Sequence, residues 1–391
     1  RYCYLLVVFF IAVLATYVVE RTGHENMYLV PFSLIALYLV AFFRTKVVYP
    51  VYMVSLLPLL LFAHNGIELF IMYLVAGVTA IFSFRYFHKG WQQFVTAFFV
   101  LLSLLTTFFM FRLIAGMKGF NDYQSLLYLS LGAFFSVAGY PLIYLFERIF
   151  ALVSNSRLIE LSDTNNKLLR ELAHKAPGTF QHSLQVMNMA DAAARAIGAN
   201  VLLVRAGALY HDIGKTANPL CFIENETLGA HYHEGLSPSD SAKDIIRHVT
   251  DGLAIAEKAN LPGVIKEFIV THHGNTCTAY FYNKYLEQGG NPADASDFCY
   301  KGHRPTTKEQ IVLMLCDTLE AASRTLKDFS QNNISELVER IFRTKMQDGQ
   351  FDDADISLKE LSILKNVLKE YLMQVYHARI VYPKRLSRNG K

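Results

Sequence analysis

At 391 residues the chain is too long for one ordinary domain, and a net charge of +4 is too small to mark a nucleic-acid surface. Apolar residues make up 52% of it, an average that hides a split near residue 153. Long uncharged apolar runs precede that point, and an ordinary charged, soluble sequence follows it. The five cysteines, Cys3, Cys221, Cys277, Cys299 and Cys316, include no CxxC pair and fit a reduced compartment rather than a disulfide framework. The chain opens on Arg1 rather than Met, so further sequence is expected upstream.

Six apolar runs read as transmembrane helices, each near the ~20 residues needed to cross the hydrocarbon core. They cover about Tyr2–Val19, Met27–Phe43, Val47–Ala63, Glu68–Phe84, Trp91–Phe111 and Tyr123–Phe146. A signal peptide gives one such run, not six. Arg44 and Lys46 follow the second run, Arg85, His88 and Lys89 follow the fourth, and Arg148 and Arg157 follow the sixth. The alternate loops, Glu20–Glu25 and His64–Gly66, are poorer in Lys and Arg, so the positive-inside rule puts both chain ends and the soluble half in the cytoplasm. Arg112 and Lys118 lie on the wrong side for this scheme. Glu68 sits close to a predicted interface and reads as a solvated helix end rather than an intramembrane functional carboxylate.

From Ser154 to Lys175 the chain has no Pro or Gly, which predicts one connecting helix. Leu158, Leu161, Leu168 and Leu172, with Asn165 in register, alternate three and four apart as in a coiled-coil seam. Two readings stay open: a dimeric signalling helix, or a single amphipathic helix packed on the domain below it. Ala176-Pro177-Gly178 ends it.

The next stretch carries the chemistry. His211-Asp212, at the end of the apolar run Val201–Tyr210, places an imidazole and a carboxylate at one buried point, where a divalent ion is the natural partner. More donors follow in helical contexts: His182, His248, the pair His272-His273 before Gly274, and Asp317 directly after the apolar run Ile311–Cys316. Five imidazoles and two carboxylates exceed what one ion uses comfortably. They fit two ions sharing a bridging carboxylate, as in many phosphoester hydrolases.

The order H…HD…H…HH…D, with His211-Asp212-Ile213-Gly214-Lys215, resembles the HD superfamily of metal phosphohydrolases. More narrowly, Ala176-Pro177-Gly178-Thr179, Gln181-His182-Ser183, Phe222-Ile223-Glu224-Asn225, Leu236-Ser237-Pro238 and Thr271-His272-His273-Gly274 resemble the seven-transmembrane HD receptor family, whose members include cyclic di-AMP phosphodiesterases. The resemblance implies an all-α protein. A six-helix transmembrane region over 1–153 and a connecting helix over 154–176 would lead into a cytoplasmic HD domain over 177–391, in the cell membrane of a bacterium. It further implies one ion on His182, His211, Asp212 and Asp317 and another on Asp212, His248, His272 and His273. Asp212 is then the bridge, and the ions are iron or manganese.

Lys215, one turn beyond Asp212, is expected to neutralise charge on the phosphate or assist the leaving oxygen. A water with its pKa lowered toward ~7 is the expected nucleophile. Ser183 and Thr276 receive no catalytic role. Two departures from relatives are Gln181 beside His182, where a second His is common, and Cys316 before Asp317, a candidate for oxidation. His231, His233 and His303 read as surface residues, with the alternative that the loop of the first two, Gly229–Gly235, borders the nucleotide pocket. Tyr280–Arg304 reads as an irregular excursion over the site, where Tyr280 or Tyr282 could stack an adenine. Ile334–Met346 and Leu358–Tyr376 read as helices, the second opened by a Ser357–Glu360 capping box, and the basic tail from Lys384 as a disordered lipid contact.

The expected function is cleavage of cyclic di-AMP to pApA by a membrane-anchored enzyme that binds no nucleic-acid polymer. Two rivals are an HD phosphodiesterase for another cyclic dinucleotide such as cyclic di-GMP, and a nucleotide-sensing receptor without turnover. The stretch after His273 lacks the Gly-Tyr-Pro element of the cyclic di-GMP subclass, and the full donor set with Lys215 argues against a degenerate sensor.

Overall fold

The computed structural model describes residues 2–86, 93–116, 122–226 and 232–376. Helix accounts for 77% of the described residues, with no strand among them, so the all-α class holds. The chain divides into two compact units, Arg1–Arg157 and Leu158–Lys391.

The first unit contains α1 (Tyr2–Glu20), α2 (Ser33–Phe42), α3 (Thr45–Phe62), α4 (Gly66–Tyr86), α5 (Gln93–Ile114), α6 (Tyr123–Ala138) and α7 (Ile143–Phe150). Six stretches are long and apolar enough to span a bilayer: Tyr2–Glu20, His24–Phe42, Thr45–Phe62, Gly66–Phe84, Phe94–Ile114 and Tyr123–Phe150. Each overlaps one of the runs read from the sequence.

Two of these spans are interrupted. The second opens as a 3₁₀ turn over His24–Leu29 and becomes α-helical at Ser33, just past Pro31, which has no N–H to continue the ladder. The sixth breaks at Gly139 and Pro141 between α6 and α7. Backbone groups freed within an apolar layer must find partners, and tyrosines supply them. Tyr73 donates to the carbonyls of Met27 and Tyr28 at 3.3 and 3.1 Å, and Tyr38 donates to that of Gly139 at 2.7 Å.

Glu68 is not a solvated helix end. Its carboxylate pairs with Arg112 at 3.1 Å and accepts from the Tyr28 hydroxyl at 2.8 Å, with both charged side chains mostly buried. The same hydroxyl accepts from Arg112 at 3.0 Å, and the guanidinium lies over the Phe108 ring. Arg112 therefore fails to act as a loop charge because its partner sits inside the helical unit. Lys118, His88, Lys89 and Trp91 lie outside the described residues.

The single helix expected over 154–175 is two: α8 (Asn155–Leu161) and α9 (Lys167–Lys175). Asp163 accepts from the Asn165 amide and Asn166 caps α9 through the Leu168 amide, so local side-chain bonds outcompete the helical ladder between them. Asn165 thus sits exposed in a turn, off any helical seam.

The rest of the second unit is built from α10 (Pro177–Ala196), α11 (Val201–Tyr210), α12 (Pro238–Lys258), α13 (Gly263–Thr271), α14 (Ala279–Glu287), α15 (Lys308–Ser323), α16 (Gln331–Gln347) and α17 (Leu358–Tyr376). α15 is the central helix, because six successive apolar residues, Ile311 to Cys316, leave it no polar face along that stretch, and all six are buried. Ser357 and Glu360 form the expected capping box on α17, at 2.9 and 3.2 Å.

Two expectations are overturned here. Tyr280–Arg304 is not irregular throughout, since it contains most of α14 and a 3₁₀ turn over Pro292–Phe298. That fold-back brings Cys277 and Cys299 into an antiparallel bridge and a disulfide, a pairing that a spacing of 22 residues did not announce. His231 and the tail from Lys384 fall outside the described residues.

Candidate metal centre

Five elements converge on Asp212. α10 starts on Pro177 and presents His182 from its buried face. α11 carries the chain to His211 and then tightens into a 3₁₀ turn over Ile213–Thr216. Gly214 is required in that turn, because a Cβ there would lie 1.8 Å from the His248 carbonyl oxygen. The contact seats the turn directly on α12, which bears His248. α13 ends at Thr271 so that His272 and His273 follow it, and α15 supplies Asp317.

Asp212 faces both ways. Its Oδ2 lies 3.3 Å from His211 Nε2 and 3.6 Å from His182 Nε2, while its Oδ1 lies 3.4 Å from His248 Nε2 and 3.6 Å from His272 Nε2. Asp317 Oδ1 closes the first group at 3.0 Å from His182 Nε2. The donors fall into two groups compact enough to hold an ion each: His182, His211, Asp212 and Asp317, and His248, His272 and His273.

The rings are oriented from behind. His211, His248 and His272 bond through Nδ1 to the carbonyls of Ala208, Ile245 and Ile269 at 2.8, 2.6 and 2.8 Å. A carbonyl only accepts, so each Nδ1 carries a proton and Nε2 is the nitrogen left to ligate an ion. His182 Nδ1 bonds the Glu320 carboxylate, the familiar carboxylate–histidine backing of a metal ligand.

The arrangement fits a divalent ion on its own terms. His248 Nε2 and His272 Nε2 face each other at 3.2 Å, two lone pairs with no proton between them. His211 Nε2 and Asp212 Oδ1 are buried without a hydrogen-bond partner. Such orphans are costly unless a cation satisfies them.

Electrostatics sharpen the division. Burial lowers the His248 imidazole to about 3, keeping it neutral, whereas at His211 the Asp212 and Asp317 carboxylates outweigh burial and raise it to about 10. Burial opposes ionisation of Asp212, yet Lys215 and His211 hold the carboxyl well below its usual range. Lys215 lies 2.8 Å from Asp212 Oδ2 and 2.9 Å from Glu224 Oε1, over the Phe222 ring. Its charge is therefore committed to two carboxylates before any ligand arrives.

Of the donors, His182, His273 and Asp317 open onto a cavity of about 740 Å³ lined also by Tyr300, Arg324 and Lys345. Tyr300 stacks on His273 with ring centroids 4.2 Å apart. A neighbouring cavity of about 530 Å³ shares Ile223 and Glu224 with it and is lined by Phe222, His233, Tyr280 and Phe281. His233 is thus not a surface residue: it is half-buried, bonded to the Cys221 carbonyl at 2.9 Å. Tyr280 lines that cavity, but Tyr282 turns its hydroxyl to the Pro292 carbonyl. His303 is half-exposed and pairs with Glu267.

Cys316 is fully buried, and burial pushes its thiol well up, so the oxidation expected of it has no thiolate to start from. Gln181 is exposed and takes no part in the donor groups. Sequence reasoning missed Glu320, Tyr300 and Lys345. Only Glu320 carried a signal, as a second carboxylate three residues beyond Asp317 on an apolar helix.

Fold and site together define a membrane-spanning helical unit followed by an all-helical phosphohydrolase domain of the HD type. The HD domain family model matches residues 179–322, and the model for a 7TM receptor with intracellular HD hydrolase matches residues 1–154. The chain belongs to this seven-transmembrane HD hydrolase family. It is 37% identical over 324 residues to the cyclic-di-AMP phosphodiesterase PgpH of Listeria monocytogenes, covering 82% of this chain and 45% of that protein. It is 40% identical over 238 residues to PgpH of Bacillus subtilis, covering 61% of this chain and 33% of that one. The chain thus spans less than half the length of these curated relatives. The crystal structure of the Listeria PgpH HD domain in complex with cyclic-di-AMP aligns over all of its length and 55% of this chain, with TM-score 0.53 and 39% identity.

Proposed function

We propose that the chain is a two-metal phosphodiesterase that cleaves cyclic di-AMP to linear pApA on the cytoplasmic side of a bacterial cell membrane, with its catalytic domain over 177–391. The observation that carries this reading is Asp212, whose two oxygens face two separate histidine-rich donor groups at the edge of a cavity of about 740 Å³. The substrate is supported by the PgpH relatives and by the cyclic-di-AMP complex of a homologous HD domain. The cytoplasmic placement is supported by the basic loops after the second and sixth apolar runs.

In this reading His182, His211 and Asp317 hold one ion, His248, His272 and His273 the other, and Asp212 both, the ions being manganese or iron. When bound, they supply Lewis-acid polarisation of the phosphoryl oxygens and a water of lowered pKa. Lys215 fixes Asp212 between the two groups. Lining the cavity, it also donates to a phosphoryl oxygen as charge builds and the 3′ oxygen leaves. Glu224 holds Lys215 from the other side, and Glu320 orients His182.

The test is product analysis with the purified full chain loaded with manganese or iron(II), with cyclic di-AMP and cyclic di-GMP in parallel. Conversion of cyclic di-AMP to pApA, lost in Asp212→Ala, is expected. Preferred turnover of cyclic di-GMP refutes the substrate, and no turnover by a protein holding two ions moves the reading to a sensor.

A further inference from the structure

The cavity beside the donor groups holds one cation that no carboxylate among the described residues pairs with. Three cationic side chains line it: Lys215, Arg324 and Lys345. Lys215 is committed to Asp212 and Glu224. Arg324 donates to Glu320 Oε1 at 2.6 and 2.9 Å. Lys345, near the end of α16, is only 9% exposed, and among the described residues no carboxylate lies within ion-pair distance of it.

That is an uncomfortable place for an ammonium group. Its nearest electrostatic support is Asp317 and Asp348 acting through space, too little to offset burial, which lowers its pKa. Removing a charge from water is costly when no partner is supplied. The carbonyl ends of the last turn of α16 offset a part of this cost. The remainder marks a position prepared for an anion that enters the cavity.

We propose that Lys345 binds the second, non-scissile phosphodiester of a cyclic dinucleotide while the groups around Asp212 engage the scissile one. The assignment rests on the phosphodiesterase reading above. A cyclic dinucleotide carries two phosphodiester anions on one ring, and both lie within the ligand when it occupies this cavity. Lys215 and Arg324 already have carboxylate partners, so Lys345 is the cation left to meet the second anion. Such a contact forms in the ground state and persists in the transition state, so it sets substrate affinity rather than the chemical step.

The test compares the full chain with Lys345→Met, which keeps the length of the side chain without its charge, and with Lys345→Arg, which keeps the charge. Three readouts are needed: kcat and KM for cyclic di-AMP, the same for bis(p-nitrophenyl) phosphate, which has a single phosphodiester, and equilibrium binding of cyclic di-AMP to chelator-treated protein. We expect Lys345→Met to raise KM and the dissociation constant for cyclic di-AMP roughly 30-fold or more, the usual size for losing a buried charge partner. Its kcat should stay within about threefold, its turnover of the nitrophenyl ester should be unchanged, and Lys345→Arg should recover most of the affinity.

Unchanged affinity for cyclic di-AMP in Lys345→Met overturns the assignment alone. Equal losses on both substrates overturn it in favour of a structural role. A wild-type protein that cleaves the nitrophenyl ester but neither binds nor cleaves cyclic di-AMP overturns the assignment together with the substrate reading.

Discussion

Glu320 holds His182 from behind, and the substitution Glu320→Gln isolates that role. The side chain is 2% exposed and divides its oxygens between His182 Nδ1 and the Arg324 guanidinium at 2.6 Å. Gln keeps the shape but loses the charge that makes the imidazole a stronger donor, and Arg324, 39% exposed, can turn to water. Partners behind a ligating histidine are typically worth 10–100-fold in metal affinity, or about 1.4–2.7 kcal/mol. The loss should fall on the His182, His211 and Asp317 group and spare the His248, His272 and His273 group. The assay is titration of metal-free protein with manganese against a competing chelator, together with kcat at saturating metal. One of two binding steps should weaken 10–100-fold while kcat at saturation stays within a few-fold. Equal weakening of both steps, or lost activity with unchanged metal affinity, refutes the reasoning.

Other substitutions probe the frame. Gly214→Ala places a Cβ 1.8 Å from the His248 carbonyl oxygen, so the 3₁₀ turn must move off α12; thermal melting should show a loss of several °C and titration a weakened second metal step. Arg112→Met leaves Glu68 uncompensated, at a cost of about 3–5 kcal/mol; thermal stability in detergent should fall, and adding Glu68→Gln should restore most of it. Lys308 and the Ser357 amide pull the Glu360 carboxyl down from 4.5 to about 2, so its contribution to stability is present above pH 4.5 and fades as pH falls toward 2. The melting-temperature gap between wild type and Glu360→Gln should therefore narrow on acidification through that window, and a constant gap contradicts the linkage.

Much of this was legible in the residues because it was anomalous. An Asp directly after Ile311–Cys316 or a His-Asp step at the end of Val201–Tyr210 is costly without a counter-charge, and the structure brings all seven such donors together. The six apolar runs declared themselves by length. What stayed hidden depends on competition or on long-range closure. The break at Ser162–Asn166 turns on side-chain hydrogen bonds that helix propensity does not weigh against the ladder. The Cys277–Cys299 pairing and the stacking of Tyr300 on His273 both follow from how the chain folds back after α13. Arg112 looked misplaced because its partner lies 44 residues away. Lys345 looked like any lysine on an amphipathic helix, since periodicity does not say which polar position closes on a cavity.

The central claim is that Asp212 joins two metal ions into one centre that cleaves cyclic di-AMP. The most direct measurement is turnover of cyclic di-AMP by the full chain as a function of bound manganese, for wild type and Asp212→Ala. We predict that wild-type activity rises with the second equivalent of metal and yields pApA, and that Asp212→Ala binds metal weakly at both groups and stays inactive. Full turnover with one equivalent bound, or an active Asp212→Ala, would contradict it.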